Sequence, residues 1–295
     1  MSQIVLACFF MLIIYQSSLA NLDAGVGTCG DEEIAAKNHL ELTIDQFTKQ
    51  AVPFTKLSGH YSSIDLLMNI SEANKEDTVL DVACGPGLVA FEFARKVKFI
   101  DGIDLTPEMI RQAMLGQEEK GMRNMAWRVG AAGALPFENS SFSLVITRYS
   151  FHHLQSPASV LHEMVRVCRP GGRILVADVS VPPAKSAAYD GMERIRDPSH
   201  VRALTDGELP ALMAAAGLED IRRAAYAVDV DADELLTGSA PAGGPAGAAQ
   251  VRRMLEDDVG RDELGVRARA VDGGRVRFEF PIAVAAARKP VGARG

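Results

Sequence analysis

A glycine-containing turn and an aspartate downstream of it have the residue types and spacing of a nucleotide site. Residues 79–83 form an apolar run interrupted by Asp81 and lead into Gly85 and Gly87, where the sequence GPGLVA fits the pattern GxGxxA. Glycines at such a turn let the backbone approach a ligand without a side chain in the way. Asp104 ends the next apolar run, where a carboxylate can accept hydrogen bonds from ribose hydroxyls. These residues leave three interpretations open: a dinucleotide site, a nucleoside-cofactor site, or a tight turn beside a solvated carboxylate.

Three histidines have a pKa suited to general acid–base work near neutral pH. His152 and His153 follow the apolar run 142–148, and His200 follows a short charged segment. If the alternation of a strand continues past its end, His152 and His153 point to opposite sides, and we then expect His153 to face the substrate as the base. The alternative is that these histidines brace their loops through hydrogen bonds or ion pairs.

These residues need elements that bring them together, and the chain alternates short apolar runs with segments of helical periodicity. Strands are predicted at 78–83, 99–104, 125–129, 142–148, 173–179, 221–228 and 276–287, and helices at 31–50, 62–70, 88–96, 107–119 and 156–168. A further helix is predicted from its cap, Thr205, to Gly217, and the Gly/Ala/Pro-rich segment 238–249 is predicted to be a mobile loop. The alternation predicts an α/β fold with a mostly parallel, doubly wound sheet, in which ligands bind beyond the carboxyl ends of the strands.

As a set, these motifs resemble the class I S-adenosylmethionine (SAM)-dependent methyltransferases with a type 11 domain. Residues 79–90 resemble the first motif of that family. The other matches are GIDLTPEM at 102–109, LPF at 135–137, SF at 141–142, RYSFHH at 148–153, EMVRVCRPGG at 163–172 and RDPSH at 196–200. They follow the family's order and spacing over roughly residues 47–290 and are most similar to the branch of the ubiquinone and menaquinone biosynthesis methyltransferases. The resemblance implies a seven-stranded, Rossmann-like sheet with an amino-terminal helical cover, in one methyltransferase domain at 31–290.

The resemblance also implies SAM as the cofactor and a role for each matching residue. Gly85 and Gly87 are expected to pass beneath the methionine part of SAM, with Asp81 near its amino group. The remaining expected contacts are those of Asp104 with the ribose hydroxyls, of Leu105 with the adenine face, and of Ala131 and Ala132 with the adenine edge.

Two positions depart from the residues that the family usually has. An acidic residue commonly stands at Ala131 and accepts a hydrogen bond from the adenine amine. Its loss predicts SAM binding that is weaker by about 0.5–1.5 kcal/mol. Ser143 stands in place of a common aspartate, a change that we expect to affect only a turn.

The expected reaction is methyl transfer from SAM to a small-molecule acceptor, which is apolar or quinone-like by analogy with the quinone enzymes. Alignment of the reacting atoms supplies most of the acceleration, and a base is needed only where the acceptor must lose a proton. Two alternatives stay open. An NAD-dependent Rossmann oxidoreductase fits the glycine turn, although the chain has no TyrxxxLys motif. A non-catalytic SAM-binding protein would have the same cofactor residues.

Composition restricts the partners and the location of the protein. The 295-residue chain has a net charge of −7, and since nucleic-acid binding needs a basic face, we expect no nucleic-acid partner. The four cysteines lack the spacing of a zinc site, and no metal is expected. Residues 1–20 form an apolar, signal-peptide-like leader, but the first basic residue is Lys37. We expect a cytoplasmic protein with at most peripheral membrane contact through this leader, and the secretory pathway is the alternative.

Overall fold

The computed structural model describes residues 30–55 and 63–292 of the chain. Contacts divide the chain into two compact units, Met1–Glu41 and Leu42–Gly295. Helix α1 (Gly30–Phe54) begins in the first unit, and the other described elements belong to the second. The predicted leader at residues 1–20 lies outside the described residues. No helix among those described has the length and apolar character that a membrane span requires.

One mostly parallel sheet forms the centre of the second unit, as the sequence predicts. Its strands are β1 Thr78–Val82, β2 Phe99–Asp104, β3 Met125–Val129, β4 Phe142–Arg148, β5 Cys168–Val181, β6 Leu204–Thr205, β7 Glu219–Asp231, β8 Arg269–Val271 and β9 Arg275–Arg288. Seven of them are ordered β3-β2-β1-β4-β5-β9-β7, while the short strands β6 and β8 pair with β5 and β9. Strands β1 to β5 are parallel, and β9 is antiparallel to β5 and β7. The winding reverses between β1 and β4, so the turns after these strands lie where such sheets bind ligands.

Apolar side chains cover both faces of the central strands. Val79 and Leu144 belong to one buried cluster, whereas Leu80 and Val145 belong to the cluster on the other face. Alternate residues of a strand point to opposite faces, and a strand buried on both faces therefore has a continuous apolar sequence. For this reason β2 and β4 have the bounds that the sequence predicts. The edge strand β3 also has its predicted bounds, although only Met125 in it is buried.

The helices of the second unit that follow α1 are α2 Ile64–Ser71, α3 Leu88–Ala94, α4 Pro107–Lys120, α5 Pro157–Val167, α6 Ser186–Arg196, α7 Glu208–Ala215, α8 Ala232–Gly238 and α9 Pro245–Asp258. The ends of α4 show why its prediction is confirmed. Thr106 is its N-cap, Pro107 takes the first helical position, and Gly121 follows the helix with φ 63°. Proline is preorganised for the first turn of a helix, and glycine accepts the left-handed conformation that ends it.

Two predictions in the second half of the chain are wrong. Segment 238–249 is not a loop throughout, because α9 begins at Pro245 and buries Val251 and Leu255 in the core. That burial stabilises a helix whose first residues have the composition of a loop.

Thr205 does not cap the next helix either. Gly207 is the N-cap of α7, while the Thr205 N–H and hydroxyl donate hydrogen bonds to Glu208 at 2.9 and 3.1 Å. Thr205 itself lies in β6, where it pairs with Val181. Thr205 therefore precedes the helix and is hydrogen-bonded to the side chain of its first residue, Glu208.

No apolar periodicity in the sequence indicates α6. Its buried face combines Tyr189 and Met192 with Asp190, Glu193 and Arg196. Charged side chains on the buried face break the spacing of apolar residues by which a helix is recognised. Several of these charged residues belong to the site described below.

Ser143 has a larger role than the expected effect on a turn. Its side chain is buried at the start of β4, and its hydroxyl donates to Asp77 Oδ1 at 2.6 Å. Ser143 Oγ also accepts the Thr78 N–H at 3.0 Å, which connects β4 to the start of β1. The prediction for Ser143 is therefore wrong, because the residue joins two strands.

Candidate active site

The turn after β1 brings the glycines next to Asp104. The backbone φ is positive at Ala83, Gly85 and Gly87, with values of 55°, 54° and 84°. Asp104 Oδ2 accepts a hydrogen bond from the Gly85 N–H at 2.8 Å, and Oδ1 accepts one from the Thr106 N–H at 2.8 Å. Burial raises the pKa of Asp104 above its ordinary value. The two backbone bonds fix this carboxylate at the carboxyl end of β2, beside the turn.

The two glycines of the turn have different surroundings. A Cβ added at Gly85 would meet no atom within 4 Å, so this position faces open space. A Cβ added at Gly87 would lie 2.6 Å from Cη2 of Trp127 and 3.2 Å from Cζ of Phe91. Gly87 must be glycine because the side chains of Trp127 and Phe91 pack against it. Only at Gly85 does the turn leave room for a ligand to approach the backbone, as the sequence predicts.

Asp81 and Arg148 lie near the carboxyl ends of β1 and β4, and each has one buried side-chain atom without a hydrogen-bond partner among the described residues. These atoms are Asp81 Oδ2 and Arg148 Nη1. Burial raises the pKa of Asp81 to about 8, although the positive charge of Arg148 acts against this shift. The Arg148 guanidinium lies 4.6 Å from the centre of the Tyr149 ring. Buried polar groups normally have partners, and two such atoms of opposite charge are therefore candidates for binding a ligand.

Three further predicted cofactor residues lie near the end of β2. The Gly130 N–H donates to the Asp104 backbone carbonyl at 2.9 Å, which places the start of the following loop beside that strand. Leu105, Ala131 and Ala132 are each partly buried. Their contacts with an adenine stay predictions.

His152 and Asp178 form a hydrogen-bonded pair. Asp178 is completely buried in β5, and its Oδ1 lies 2.6 Å from His152 Nδ1. Asp178 also accepts the N–H groups of Phe151 at 2.6 Å and Val179 at 2.7 Å. Because a carboxylate accepts hydrogen bonds, the proton lies on Nδ1 and Nε2 is the basic nitrogen. Burial acts to lower the pKa of His152, but the charge and hydrogen bond of Asp178 outweigh it, and the pKa lies above its ordinary value.

His153 is held in place by its neighbours instead. Phe151–His153 is a turn of 3₁₀ helix, so strand alternation does not reach the histidines, and the rings of His152 and His153 lie 4.1 Å apart. His153 Nδ1 is 3.2 Å from the Ser199 carbonyl and 3.1 Å from Ser199 Oγ. Burial and the neighbouring His152 lower the pKa of His153 to about 3. The alternation argument for His153 as the base is therefore wrong in its premise, and a pKa of about 3 lies far below the working pH that suits a base.

His200 lies next to this pair and has its own carboxylate. Its Nε2 is 2.8 Å from Asp190 Oδ1, and its ring lies 5.6 Å from that of His152. Burial lowers the pKa of His200. Although three histidines converge, no group of three His, Cys, Asp or Glu side chains in the described part of the chain is arranged to hold a metal ion.

A cavity of about 1090 Å³, including the open space at its mouth, lies beside His152 and His153. Seven of its other lining residues are apolar: Phe47, Val179, Val228, Val230, Leu235, Phe280 and Ile282. Glu193, Arg196 and Asp197 add charges from the end of α6 and the residue after it. Phe47 and Gln50 reach the cavity from α1, and Gln46 Nε2 of the same helix donates to the Ala240 carbonyl at 2.9 Å. The second-unit part of α1 is thus the predicted helical cover.

Sequence reasoning did not identify Asp178, Arg148 or the charged residues of α6 as site residues. Asp178 has a signal that could have revealed it, because it is the one charged residue in the run 174–181, whose other residues are apolar except for Ser180. A carboxylate buried inside a strand needs partners, and that need predicts a functional or pairing role. Arg148 has the same kind of signal at the end of β4.

The known proteins that this chain is similar to include methyltransferases. The sequence profile of the methyltransferase domain family matches residues 79–172. The chain is 32% identical over 183 residues to YcgJ of Bacillus subtilis, named an uncharacterized methyltransferase, and the match covers 60% of this chain and 72% of YcgJ. It is 34% identical over 117 residues to the ubiquinone/menaquinone biosynthesis C-methyltransferase UbiE of Roseobacter denitrificans, covering 38% of this chain and 47% of UbiE.

Solved structures have the same fold. The crystal structure of YcgJ aligns with a TM-score of 0.69 and 27% identity, over 78% of this chain and 99% of YcgJ. A geranyl diphosphate C-methyltransferase from Streptomyces coelicolor, crystallised with Mg²⁺, geranyl diphosphate and S-adenosyl-L-homocysteine, aligns with a TM-score of 0.54 and 14% identity, over 77% of this chain and 78% of that chain, and shows the fold alone. The sheet order, the glycine turn and the identity to YcgJ over most of its length lead to one conclusion: the chain belongs to the class I methyltransferase family.

Proposed function

We propose that this chain transfers a methyl group from SAM to a small-molecule acceptor. The observation that carries the proposal is the pair of buried, unpartnered atoms, Asp81 Oδ2 and Arg148 Nη1, near the open glycine turn. Opposite charges in this arrangement complement an amino-acid zwitterion, with its ammonium group at Asp81 and its carboxylate at Arg148. SAM carries such a group on a ribose, and Asp104 is fixed where a ribose hydroxyl can donate to it.

The same atoms disfavour the dinucleotide alternative. In a dinucleotide site, a pyrophosphate lies against the glycine turn. A pyrophosphate has no cationic group that could pair with Asp81 Oδ2 and ionise it, and its negative charge would lie beside the buried Asp104. A zwitterion supplies an ammonium group, so it fits this turn better than a pyrophosphate.

Residues of the chain then perform three tasks. Bound SAM would supply an electrophilic methyl group on a sulfonium. The Asp81 and Arg148 side chains hold the amino-acid part, while Leu105, Ala131 and Ala132 border the adenine. His152 Nε2 accepts a proton from an acceptor that must lose one, and Asp178 stabilises the charged imidazole that results.

The acceptor is expected to be a small molecule with an apolar part, because the cavity walls are mostly apolar. A quinone-like acceptor is one candidate by analogy with relatives named for ubiquinone and menaquinone biosynthesis, but the charged residues of the cavity favour a cationic acceptor over a quinone. The net charge of −7 supports the proposal that no nucleic acid is a partner. A cytoplasmic location with at most peripheral membrane contact is likewise proposed from the sequence.

Calorimetric titration with SAM and with NAD tests the cofactor. We expect SAM to bind and NAD not to bind. Because the pKa of Asp81 is about 8 before binding, this carboxyl is mostly protonated at pH 7, and pairing with an ammonium group ionises it. SAM binding at pH 7 should therefore release more than half a proton, measured as the difference between buffers of different ionisation enthalpy. Asp81→Asn should weaken SAM binding about tenfold or more and abolish the proton release.

Asp101→Asn is the matched control. Burial also raises the pKa of Asp101, but this residue lies on β2 with its carboxylate 3.9 Å from Arg128. We expect the control variant to keep both SAM affinity and proton release. Binding of NAD in preference to SAM, or an Asp81→Asn variant that still releases the proton, would refute the proposed site. Production of S-adenosylhomocysteine with an added acceptor then separates an enzyme from a protein that only binds SAM.

A further inference from the structure

Two of the charges in the acceptor cavity neutralise each other. Glu193 is 1% exposed and Arg196 is 9% exposed, and both lie on α6. Arg196 Nε donates to Glu193 Oε1 at 2.8 Å, and Arg196 Nη2 donates to Glu193 Oε2 at 2.6 Å. A two-point pair of this kind binds both oxygens of the carboxylate and neutralises the charge of the guanidinium. Arg196 is therefore not available as a free cation for an anionic ligand.

Asp197, the next residue, is a buried carboxylate with one well-bonded oxygen. It is 2% exposed, and its Oδ1 accepts the Ser199 N–H at 3.0 Å and the Ser199 hydroxyl at 2.6 Å. Its Oδ2 lies 3.4 Å from Gln50 Nε2 and 4.0 Å from Arg196 Nη2. These contacts are longer than the 2.7–2.9 Å typical of charge-assisted hydrogen bonds. Asp197 lines the cavity, and its Oδ2 can therefore accept a further, shorter hydrogen bond from a ligand.

The arginine that lines the cavity besides Arg196 is already paired, because Arg277 Nε donates to Asp229 at 3.0 Å. The histidines next to Asp197 carry positive charge only when their rings are protonated, and the pKa of His153 is about 3. Glu234 also lines the cavity and adds a further negative charge. The lining thus has four carboxylates, against two arginines and His152, whose ring adds a positive charge when it is protonated. The carboxylates are in excess in either state of His152, so the field of the cavity attracts a cation and repels an anion.

We propose that the methyl acceptor is a protonated amine on an apolar body, bound with a nitrogen-bound hydrogen donated to Asp197 Oδ2. This inference rests on the proposed methyl transfer and specifies its substrate class. The apolar walls, among them Val228, Phe280 and Ile282, receive the body of the molecule. Tyr149 and Tyr189 also line the cavity, and aromatic faces attract organic cations.

The chemistry of an amine gives the His152–Asp178 pair a defined role. An ammonium nitrogen has no free electron pair, so His152 Nε2 first takes one of its protons. The nitrogen pair then forms a bond to the methyl carbon while the sulfonium–carbon bond breaks, and the electrons of that bond stay on sulfur. The product is an N-methylammonium and a thioether, and His152 passes its proton to water.

Three probes of nearly equal size test the proposal: 2-phenylethylamine, 2-phenylethanol and 3-phenylpropionate. They are titrated by calorimetry at pH 7 into the full-length protein saturated with S-adenosylhomocysteine. We expect the amine to bind about tenfold or more tightly than the alcohol, and the carboxylate to bind more weakly than both. Equal or tighter binding of the alcohol or the carboxylate overturns the amine assignment. Binding of S-adenosylhomocysteine is measured first in the same cell, so failure of the cofactor site is recorded separately from failure of this inference.

Substitution of the carboxylate identifies the residue responsible. Asp197→Asn should reduce the preference for the amine over the alcohol to about twofold or less, because the neutral amide removes the charge. Asp233→Asn removes the same charge from an exposed position on α8 that does not line the cavity, and it should leave the preference unchanged. An Asp197→Asn variant that keeps the full preference overturns the role of Asp197. If this variant does not fold, the probe series on the unaltered protein still decides the substrate class.

Discussion

Two adjacent histidines acquire opposite protonation behaviour from their partners. His152 has a buried carboxylate on Nδ1, which favours the charged ring, whereas His153 has a carbonyl and a hydroxyl from Ser199. Burial disfavours the charged form of both rings, and only the carboxylate is strong enough to reverse its effect. At the residue scale, the two pKa values differ because His152 has a carboxylate partner, whereas His153 has neutral partners and the charge of His152 beside it.

Proton NMR titration of the histidine rings should resolve this difference. We expect the pKa of His152 to lie above its ordinary value and His153 to stay neutral from pH 5 to pH 8, because its pKa is about 3. Asp178→Asn should lower the pKa of His152, since it removes the charge that favours the imidazolium. His152→Gln should reduce turnover about a hundredfold or more with an amine that is methylated, while SAM affinity is kept.

The control for this titration is Asp190→Asn. It removes the hydrogen-bonding carboxylate of His200 and should leave the pKa of His152 unchanged. If His153 titrates near neutral pH and His152 does not, the base has been assigned to the wrong histidine. A His152→Gln variant that works at full speed would indicate an acceptor that needs no base.

At the scale of elements, the turn between β1 and α3 combines backbone strain with access to a ligand. Ala83 and Gly85 have almost the same φ, 55° and 54°, so this turn accepts one residue with a Cβ in the left-handed region. Backbone conformation alone therefore does not explain the glycine at position 85. At Gly85, a Cβ would point into open space. An added methyl group there would occupy the volume in which we place the ligand.

Gly85→Ala should weaken SAM binding about tenfold or more because its methyl group occupies ligand space. The left-handed conformation should also reduce the free energy of unfolding by about 1–2 kcal/mol. Gly121→Ala is matched to it, since Gly121 has φ 63° and no atom within 4 Å of an added Cβ, but it follows α4. The control should lose the same stability and keep SAM affinity.

Calorimetry with SAM and urea unfolding measure the two effects. Equal SAM affinity for both variants would place the ligand away from Gly85. A similar loss of affinity in both would show that strain, and not occupied space, is responsible.

At the scale of the whole molecule, a buried ion pair holds the amino-terminal edge of the sheet. Arg173 at the start of the paired part of β5 forms a salt bridge with Asp77, and its Nη1 donates to the carbonyls of Ser71 at 3.2 Å and Glu72 at 2.6 Å. Ser143 adds its hydroxyl to the same carboxylate. One guanidinium thus connects the end of α2 with strands β1, β4 and β5, far from their carboxyl ends.

Arg173→Met should reduce the free energy of unfolding by about 3–5 kcal/mol, because it leaves the Asp77 carboxylate buried without its cation. Urea unfolding measures this loss, and calorimetry under folding conditions should find SAM affinity unchanged. The exposed Arg169→Met on the same edge should change stability by about 0.5 kcal/mol or less.

A double variant checks the cause of that loss. Asp77→Asn combined with Arg173→Met removes both charges and should recover part of the stability lost in Arg173→Met alone. If Arg173→Met also weakens SAM binding clearly, the amino-terminal edge of the sheet, which holds Arg173, affects the carboxyl-terminal edge, at which we place SAM.

Features with a local physical cause could be predicted from the sequence. The bounds of β2 and β4 follow from runs that are buried on both faces, and α4 follows from its proline and its glycine. The glycine turn and Asp104 could be predicted because backbone conformation and strand ends are properties of short segments. The fold class and the edge of the sheet that carries the site were therefore determined by the sequence itself.

The partners of the site residues were decided only by the tertiary structure. Asp178 lies 26 positions from His152, and Ser199 lies 46 positions from His153, so no short segment contains either pair. The buried face of α6 is charged because Asp190 binds His200 outside the helix, while Glu193 and Arg196 pair with each other within it. These buried charges break the apolar pattern by which the helix would be recognised. Protonation depends on burial and on the nearest charge, and both quantities exist only once distant segments have packed together.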